Sequence, residues 1–155
     1  MLEYEVKVDD KEVRLALDKL MRKTPQLSRT LLGRLSEAVI SRVVRTKLSG
    51  QVLKRVTGTL AKSLNWRLTS DFTAKIGTNV AYAAIHENGG IIRPRNAKAL
   101  AFTLPDGTFI RTQKVVMPAR PYLWPGLQEV FNTGEAQKIM DNTTKEYLNR
   151  EWEDG

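Results

Sequence analysis

The chain has 155 residues and a mass of 17.5 kDa, of which 41% are hydrophobic and 27% are charged. This size and composition predict one globular domain over 1–155 and exclude a disordered or fibrous chain. It contains no cysteine and one histidine, which excludes disulfides, thiolate metal sites, cysteine nucleophiles and multi-histidine metal sites within one chain. No apolar run approaches the about 18–20 residues that span a bilayer, and the acidic start lacks the pattern of a signal peptide. We therefore expect a soluble protein made in the cytoplasm, with no cofactor, metal or membrane partner.

The net charge is +8 and the isoelectric point is near 9.9. Basic residues exceed acidic ones from residue 11 to residue 125, whereas acidic residues exceed basic ones in 1–10 and 126–155. A basic excess is typical of proteins that contact nucleic acid. A polarised charge equally suits contacts between copies of the chain, so charge alone leaves both readings open.

The first half reads as a strand and two helices. Residues 3–8 alternate between apolar and charged types, which predicts a short strand. Asp9 has the spacing of a helix cap, which predicts a helix to Lys23. Pro25 begins a second, longer helix that extends towards Gly50. Its apolar residues recur at four-residue steps, which predicts a core-facing stripe; they are Leu27, Leu31, Leu35, Val39 and Val43.

The second half reads as short strands followed by helices. A turn and short helix at 57–63 precede a hairpin of 64–69 with 72–76 and a short helix at 80–88. A mobile basic loop at 91–99 then leads to a second hairpin at 100–117. Residues 118–121 are extended, and two helices follow at about 122–132 and 135–150. The fold class is therefore α+β, with an antiparallel sheet packed against the long N-terminal helix and the C-terminal helices.

Few residues suggest chemistry. His86 and Glu87 are neighbours on a helix and point about 100° apart, so they do not form a catalytic pair without a third group. We expect His86 to pack or hydrogen-bond at the edge of its helix. Around the loop, a basic set could bind phosphate, form a solvated rim or pair with acids on a neighbouring copy. This set and its apolar neighbour are Ile92, Arg93, Arg95, Lys98, Arg111 and Lys114.

Prolines flank the aromatic segment near residue 122. Tyr122, Leu123 and Trp124 lie between Pro121 and Pro125, which predicts an anchor for the last helices. An interface anchor is the alternative, since tyrosine and tryptophan are frequent at binding hot spots.

Three segments carry short patterns in a fixed order. Residues 57–64 read T-G-T-L-A-K-S-L, residues 76–90 read I-G-T-N-V-A-Y-A-A-I-H-E-N-G-G, and residues 117–123 read M-P-A-R-P-Y-L. In this order and spacing they resemble the tail-completion, virion-morphogenesis and head–tail joining (neck) proteins of tailed bacteriophages and prophages. The resemblance assigns structural roles to Gly58, Leu60, Ser63, Gly77, Tyr82, His86, Glu87, Gly89, Pro118, Ala119, Arg120, Pro121, Tyr122 and Leu123.

The resemblance implies a non-catalytic virion protein at the neck. Such proteins work as a homo-oligomeric ring, of which a hexamer is one form, and dock on tail tube, tail terminator or head connector proteins. The isolated chain either forms the ring alone or stays monomeric until it meets its partner. We expect loop 91–99 and its hairpin to be the partner surface, and the basic part of one copy to meet the acidic C-terminal part of the next. For Arg120 we expect a buried or interface pair with a carboxylate.

Two other functions stay open. A basic accessory protein that contacts DNA would show binding that falls steeply with salt. An enzyme would depend on His86, although the sequence suggests no substrate.

Overall fold

The computed structural model describes residues 2–5, 25–53 and 58–153. Five helices and seven strands occupy this part of the chain, which confirms the α+β class. The elements are β1 (Leu2–Glu5), α1 (Pro25–Thr46), α2 (Thr59–Ser63), β2 (Asn65–Ser70), β3 (Thr73–Thr78), α3 (Ala83–Asn88), β4 (Gly90–Ile92), β5 (Leu100–Thr103), β6 (Phe109–Thr112), β7 (Val115–Met117), α4 (Leu123–Asn132) and α5 (Glu135–Glu153).

Helix α1 supplies one side of the core. The predicted stripe is confirmed, because all five of its residues from Leu27 to Val43 are buried. Residues four positions apart share one helix face, so this face packs continuously. The helix ends at Thr46 rather than at Gly50. After it, the N–H of Leu48 donates a hydrogen bond to the carbonyl of Val43. These contacts place α1 at the centre of the molecule.

Helices α4 and α5, both predicted, pack on α1. Gly126 lets α4 approach closely, because a Cβ there would lie 2.3 Å from Cγ2 of Val43. Met140 of α5 packs with Leu27 and Leu31 of α1. The N-terminal and C-terminal helices thus share one core.

The strands form three small antiparallel sheets, which agrees with the predicted antiparallel pairing. The largest has the order β1–β3–β2. In its register, Ile76 of β3 is paired with Tyr4 of β1 on one side and with Trp66 of β2 on the other. The predicted β2–β3 hairpin is confirmed, and α1 lies against it where the Trp66 ring approaches Gly33. The strand predicted at 3–8 is confirmed over Leu2–Glu5. Its remainder and the helix predicted at 9–23 lie outside the described residues.

Residues 90–117 form a two-stranded ribbon that we call the arm. Strand β4 pairs with β7, and β5 pairs with β6. The boundaries differ from the predicted loop 91–99 and hairpin 100–117, since β4 includes residues 91–92 and β7 pairs with β4. Seven residues, 93–99, lie opposite only two, 113–114, so the ribbon is interrupted between its ladders. No residue from 88 to 121 is buried.

The helices in the described part of the chain are all too short or too polar to cross a membrane.

Candidate assembly interface

A buried carboxylate binds the backbone that follows the C-terminal end of the arm. Glu87 on α3 is 4% exposed. Its Oε2 accepts hydrogen bonds from the N–H groups of Tyr122 at 2.8 Å and Leu123 at 3.0 Å, and its Oε1 accepts one from Trp124 at 3.1 Å. The side chain therefore joins α3, which precedes the arm in the sequence, to the start of α4, which follows it.

The carboxylate of Glu87 supplies hydrogen-bond acceptors to the N-terminus of α4. The first N–H groups of a helix have no partner within the helix, and no side-chain hydrogen bond from Tyr122 caps α4. Glu87 accepts from three of these N–H groups, and Pro125 has no N–H to satisfy. A carboxylate also complements the positive end of the helix dipole. Glu87 thus caps the N-terminus of α4, although it lies 35 residues before Tyr122 in the sequence.

A second contact brings the two ends of the arm together. The N–H of Arg120 donates to the carbonyl of His86 at 2.7 Å. Gly89 adopts φ +69°, and a Cβ there would lie 2.7 Å from the nitrogen of Ala119. Only glycine fits such a conformation and such an approach without strain. We call Glu87, Gly89 and the His86–Arg120 bond the mount of the arm.

The first sequence pattern is tied to the second. Gly58 has φ +74° before α2, and Leu60 is buried. The hydroxyl of Ser63 donates to the carbonyl of Leu60 at 2.9 Å and lies 2.6 Å from the hydroxyl of Thr78, next to Gly77 at the end of β3. The three patterns therefore meet in space, and their residues hold the fold and the mount.

His86 and Arg120 both lie at the mount, where His86 makes the predicted contact and Arg120 does not. The half-buried His86 ring packs edge-on against Tyr82, with centroids 5.8 Å apart, as expected for a packed histidine. The side chain of Arg120 is exposed and lies near no carboxylate of the described residues. The buried form of the predicted pair is therefore wrong, because residues 118–121 run outside the core. Their backbone rather than the guanidinium makes the contact.

The aromatic segment divides between core and surface. Tyr122 is fully buried and Leu123 is 1% exposed, as predicted for an anchor, whereas Trp124 is 46% exposed. Residues 118–121 are exposed throughout. In the part of the chain that the structure describes, no three acidic or histidine side chains gather as a metal site requires.

The predicted partner residues gather at one level of the arm. The cross-strand pairs Ile92↔Val115 and Leu100↔Thr112 bracket the loop 93–99. The loop therefore lies opposite residues 113–114, which brings its cations to the level of those on the other strand. We call this set the basic girdle. It comprises Arg93, Arg95, Lys98, Arg111 and Lys114, all exposed.

The girdle cations have no ion-pair partner within the described residues. Apolar side chains lie on either side of them. Val116, Phe109 and Ile91 are 66%, 65% and 53% exposed, the highest values for large apolar residues of the described chain. Sequence reasoning missed them, although the doublets 91–92 and 115–116 put apolar side chains on both faces of an uncovered ribbon. The arm therefore combines unpaired positive charge with exposed apolar surface.

Acidic residues of the C-terminal helices are engaged within the chain. Glu146 pairs with Arg34 at 2.7 Å, and Glu135 pairs with Arg42. Glu129 pairs with Lys47, whose hydrogen bond lowers the pKa of the glutamate. The hydrogen bond from Arg34 likewise lowers the pKa of Glu146. These carboxylates neutralise two arginines of α1 and the lysine that follows it.

A model of the phage virion morphogenesis family matches residues 34–149, which include all of the arm and its mount. No curated protein and no solved structure matches the chain significantly. The family match covers about three quarters of the chain. The chain therefore belongs to the phage virion morphogenesis family, and its role is a structural one in the assembly of the phage particle.

Proposed function

We propose that the protein completes the tail at the neck of the virion, where it joins the tail to the head. The observation that carries this proposal is the arm, which projects from the core with no buried residue yet is held at both ends by the mount. A two-stranded ribbon without a covering layer is marginally stable at best. Covering it with a neighbouring virion protein would stabilise the ribbon and join the two proteins.

We further propose that copies form a ring and that the protein acts without catalysis. Heterologous contacts between copies close into a ring when their rotation divides a full turn. Light scattering of the purified protein over a range of concentrations tests this part. A discrete multiple of 17.5 kDa supports the ring. A monomer at all concentrations, combined with single copies in purified virions, would overturn it.

The neck function is tested with a phage that lacks the gene and is supplied with the protein from a plasmid. Without the protein, we expect filled heads and separate tails in electron micrographs. Joined, infectious particles without it would overturn the proposal. A variant in which glycine and serine replace residues 93–99 should fold normally but fail to join heads to tails, and normal joining by it would remove the loop from the partner surface.

A second candidate function is contact with the genome in the neck, which the basic girdle favours. Phosphate contacts give an affinity that falls linearly with salt on a logarithmic scale. Binding of the purified protein to duplex DNA with such a slope, lost when the girdle cations are replaced by glutamine, would support this candidate.

A further inference from the structure

We infer that the arm inserts its tip into an apolar pocket on a different virion protein and that carboxylates at the rim of this pocket meet the basic girdle. This inference rests on the proposed docking function and names the chemistry of the partner. It follows from the order of side chains along the arm, from the hydrogen bonds that define its tip and from the acids of residues 25–53 and 58–150.

The tip is a defined turn. The N–H of Leu104 donates to the carbonyl of Thr108 at 2.8 Å, and the N–H of Gly107 donates to the carbonyl of Leu104 at 2.9 Å. Asp106 accepts from the N–H of Thr108 at 2.9 Å. That bond lowers the pKa of the aspartate. A turn held in this way loses little conformational entropy when it binds.

Apolar side chains flank the turn at the tip. Leu104 and Phe102 are 39% and 37% exposed, and Phe109 is 65% exposed. Phe109 pairs with Thr103 directly before the turn, so these side chains surround the end of the ribbon. Exposed apolar groups of this size are typical of anchors that fill a pocket in a partner.

The girdle lies at a fixed height below the tip. Phe109 and Thr112 are three residues apart on β6, which is about 10 Å at the rise of a strand. Interfaces commonly have an apolar centre and a polar rim. The receiving pocket should therefore be about 10 Å deep and have an acidic rim, because the girdle consists only of cations.

Residues 25–53 and 58–150 do not provide such a rim. Six of their carboxylates are engaged or belong to the arm: Asp71, Glu87, Asp106, Glu129, Glu135 and Glu146. Within residues 25–53 and 58–150, this leaves Glu37 on α1 and Asp141 on α5 without an ion pair. Two carboxylates on separate helices do not surround five cations, so these residues of a second copy offer no acidic rim, and we assign the rim to a different protein. Nucleic acid fits less well, because phosphates gain nothing from the apolar tip and Asp106 repels them.

The test places a photo-crosslinking phenylalanine analogue at Phe109 in assembled particles. Phe72 carries the same analogue as a matched control, since it is 50% exposed but lies on the β2–β3 turn. We expect Phe109 to crosslink to one other virion protein, at a peptide next to aspartate or glutamate, and Phe72 to give a different product. A crosslink to a second copy or to DNA would overturn the inference.

A charge exchange completes the test. Arg111→Glu with Lys114→Glu should lower the yield of joined particles more than about tenfold, because like charges would then face each other. Replacing the acids of the crosslinked peptide by lysine should restore the yield. No acid in that peptide, or no restoration, would overturn the inference. A phage that joins heads to tails without the protein would instead overturn the proposed function, so the two failures are distinct.

Discussion

The body and the arm of this protein differ in what stabilises them. In the body, α1, α4 and β3 bury a continuous set of apolar side chains, and Val43, Val130 and Tyr122 are fully buried. In the arm, no side chain is buried, and backbone pairing within two short ladders defines the structure. The body folds on its own contacts, whereas the arm exposes the surface that a partner can cover.

The three sequence patterns lie in the body and at the base of the arm. Their residues cap α4, close the base of the arm and join α2 to β3. The exposed side chains of the arm lie between the second and third patterns. Substitutions should therefore separate into those that affect folding and those that affect assembly.

The largest effect on stability should come from the core. Leu31→Ala removes a side chain that is 1% exposed and packs with Leu27 and Met140. Such a cavity costs about 2–5 kcal/mol in the free energy of unfolding, which urea denaturation measures. A loss below about 1 kcal/mol would show that this part of α1 is not core.

The next effect should come from the mount. Glu87→Gln keeps the shape of the side chain but directs an NH2 group at backbone N–H donors. We expect a loss of about 2–3 kcal/mol, since hydrogen bonds to a charged group are the stronger ones. Urea denaturation measures the loss, and hydrogen exchange should show faster exchange of the N–H groups of residues 122–124. Unchanged exchange there would contradict the capping role.

A substitution at Gly89 tests the close approach of the arm's ends. Gly89→Ala combines a positive φ with a Cβ only 2.7 Å from a backbone nitrogen, so we expect a loss of about 1–3 kcal/mol. Gly107→Ala is the control, because Gly107 also has positive φ but has no atom near its Cβ position. Equal losses in urea denaturation would show that the contact with Ala119 contributes nothing.

A smaller and pH-dependent effect should come from Glu129. The hydrogen bond from Lys47 lowers the pKa of Glu129 in the folded state, so this pair stabilises the fold above the ordinary pKa of glutamate. Its contribution is lost as the pH falls through the lowered value. Glu129→Gln should cost less than about 1 kcal/mol at neutral pH, because the pair is partly exposed. The difference from the wild type should shrink in acid, and a difference that grows there would contradict this assignment.

The smallest effect on stability should come from the arm. Phe109→Ser removes an exposed ring, so the free energy of unfolding should change by less than about 0.5 kcal/mol. The same variant should form few joined particles in the complementation assay. A variant that loses stability but assembles normally would show that Phe109 stabilises the fold and does not bind a partner.

Local patterns predicted most of the body. The four-residue spacing from Leu27 to Val43 and the tight turn between β2 and β3 depend only on neighbouring residues, so both predictions are confirmed. The role of Glu87 could not be predicted, because its three partners lie 35 to 37 residues away. The ion pairs that Arg34, Arg42 and Lys47 make with α4 and α5 are likewise non-local.

The arm shows where periodicity misleads. The alternation of side chains predicts one hairpin over 100–117, but only β5 and β6 pair within it, whereas β7 pairs with β4 beyond the loop 93–99. Pairing depends on the opposite strand as well as on the alternation of side chains. The basic residues were identified from their sequence, whereas their common level on the arm required the register.

The closeness of Gly89 and Ala119 has a consequence for how such proteins diversify. Because both ends of the arm meet at one point of the body, a different segment can replace 90–117 without moving any core residue. Closing a longer flexible segment at this point costs only about 0.6 kcal/mol for each doubling of its length. Recombination between phages could therefore exchange the arm as a cassette, so that a single body acquires a new docking partner in one genetic event.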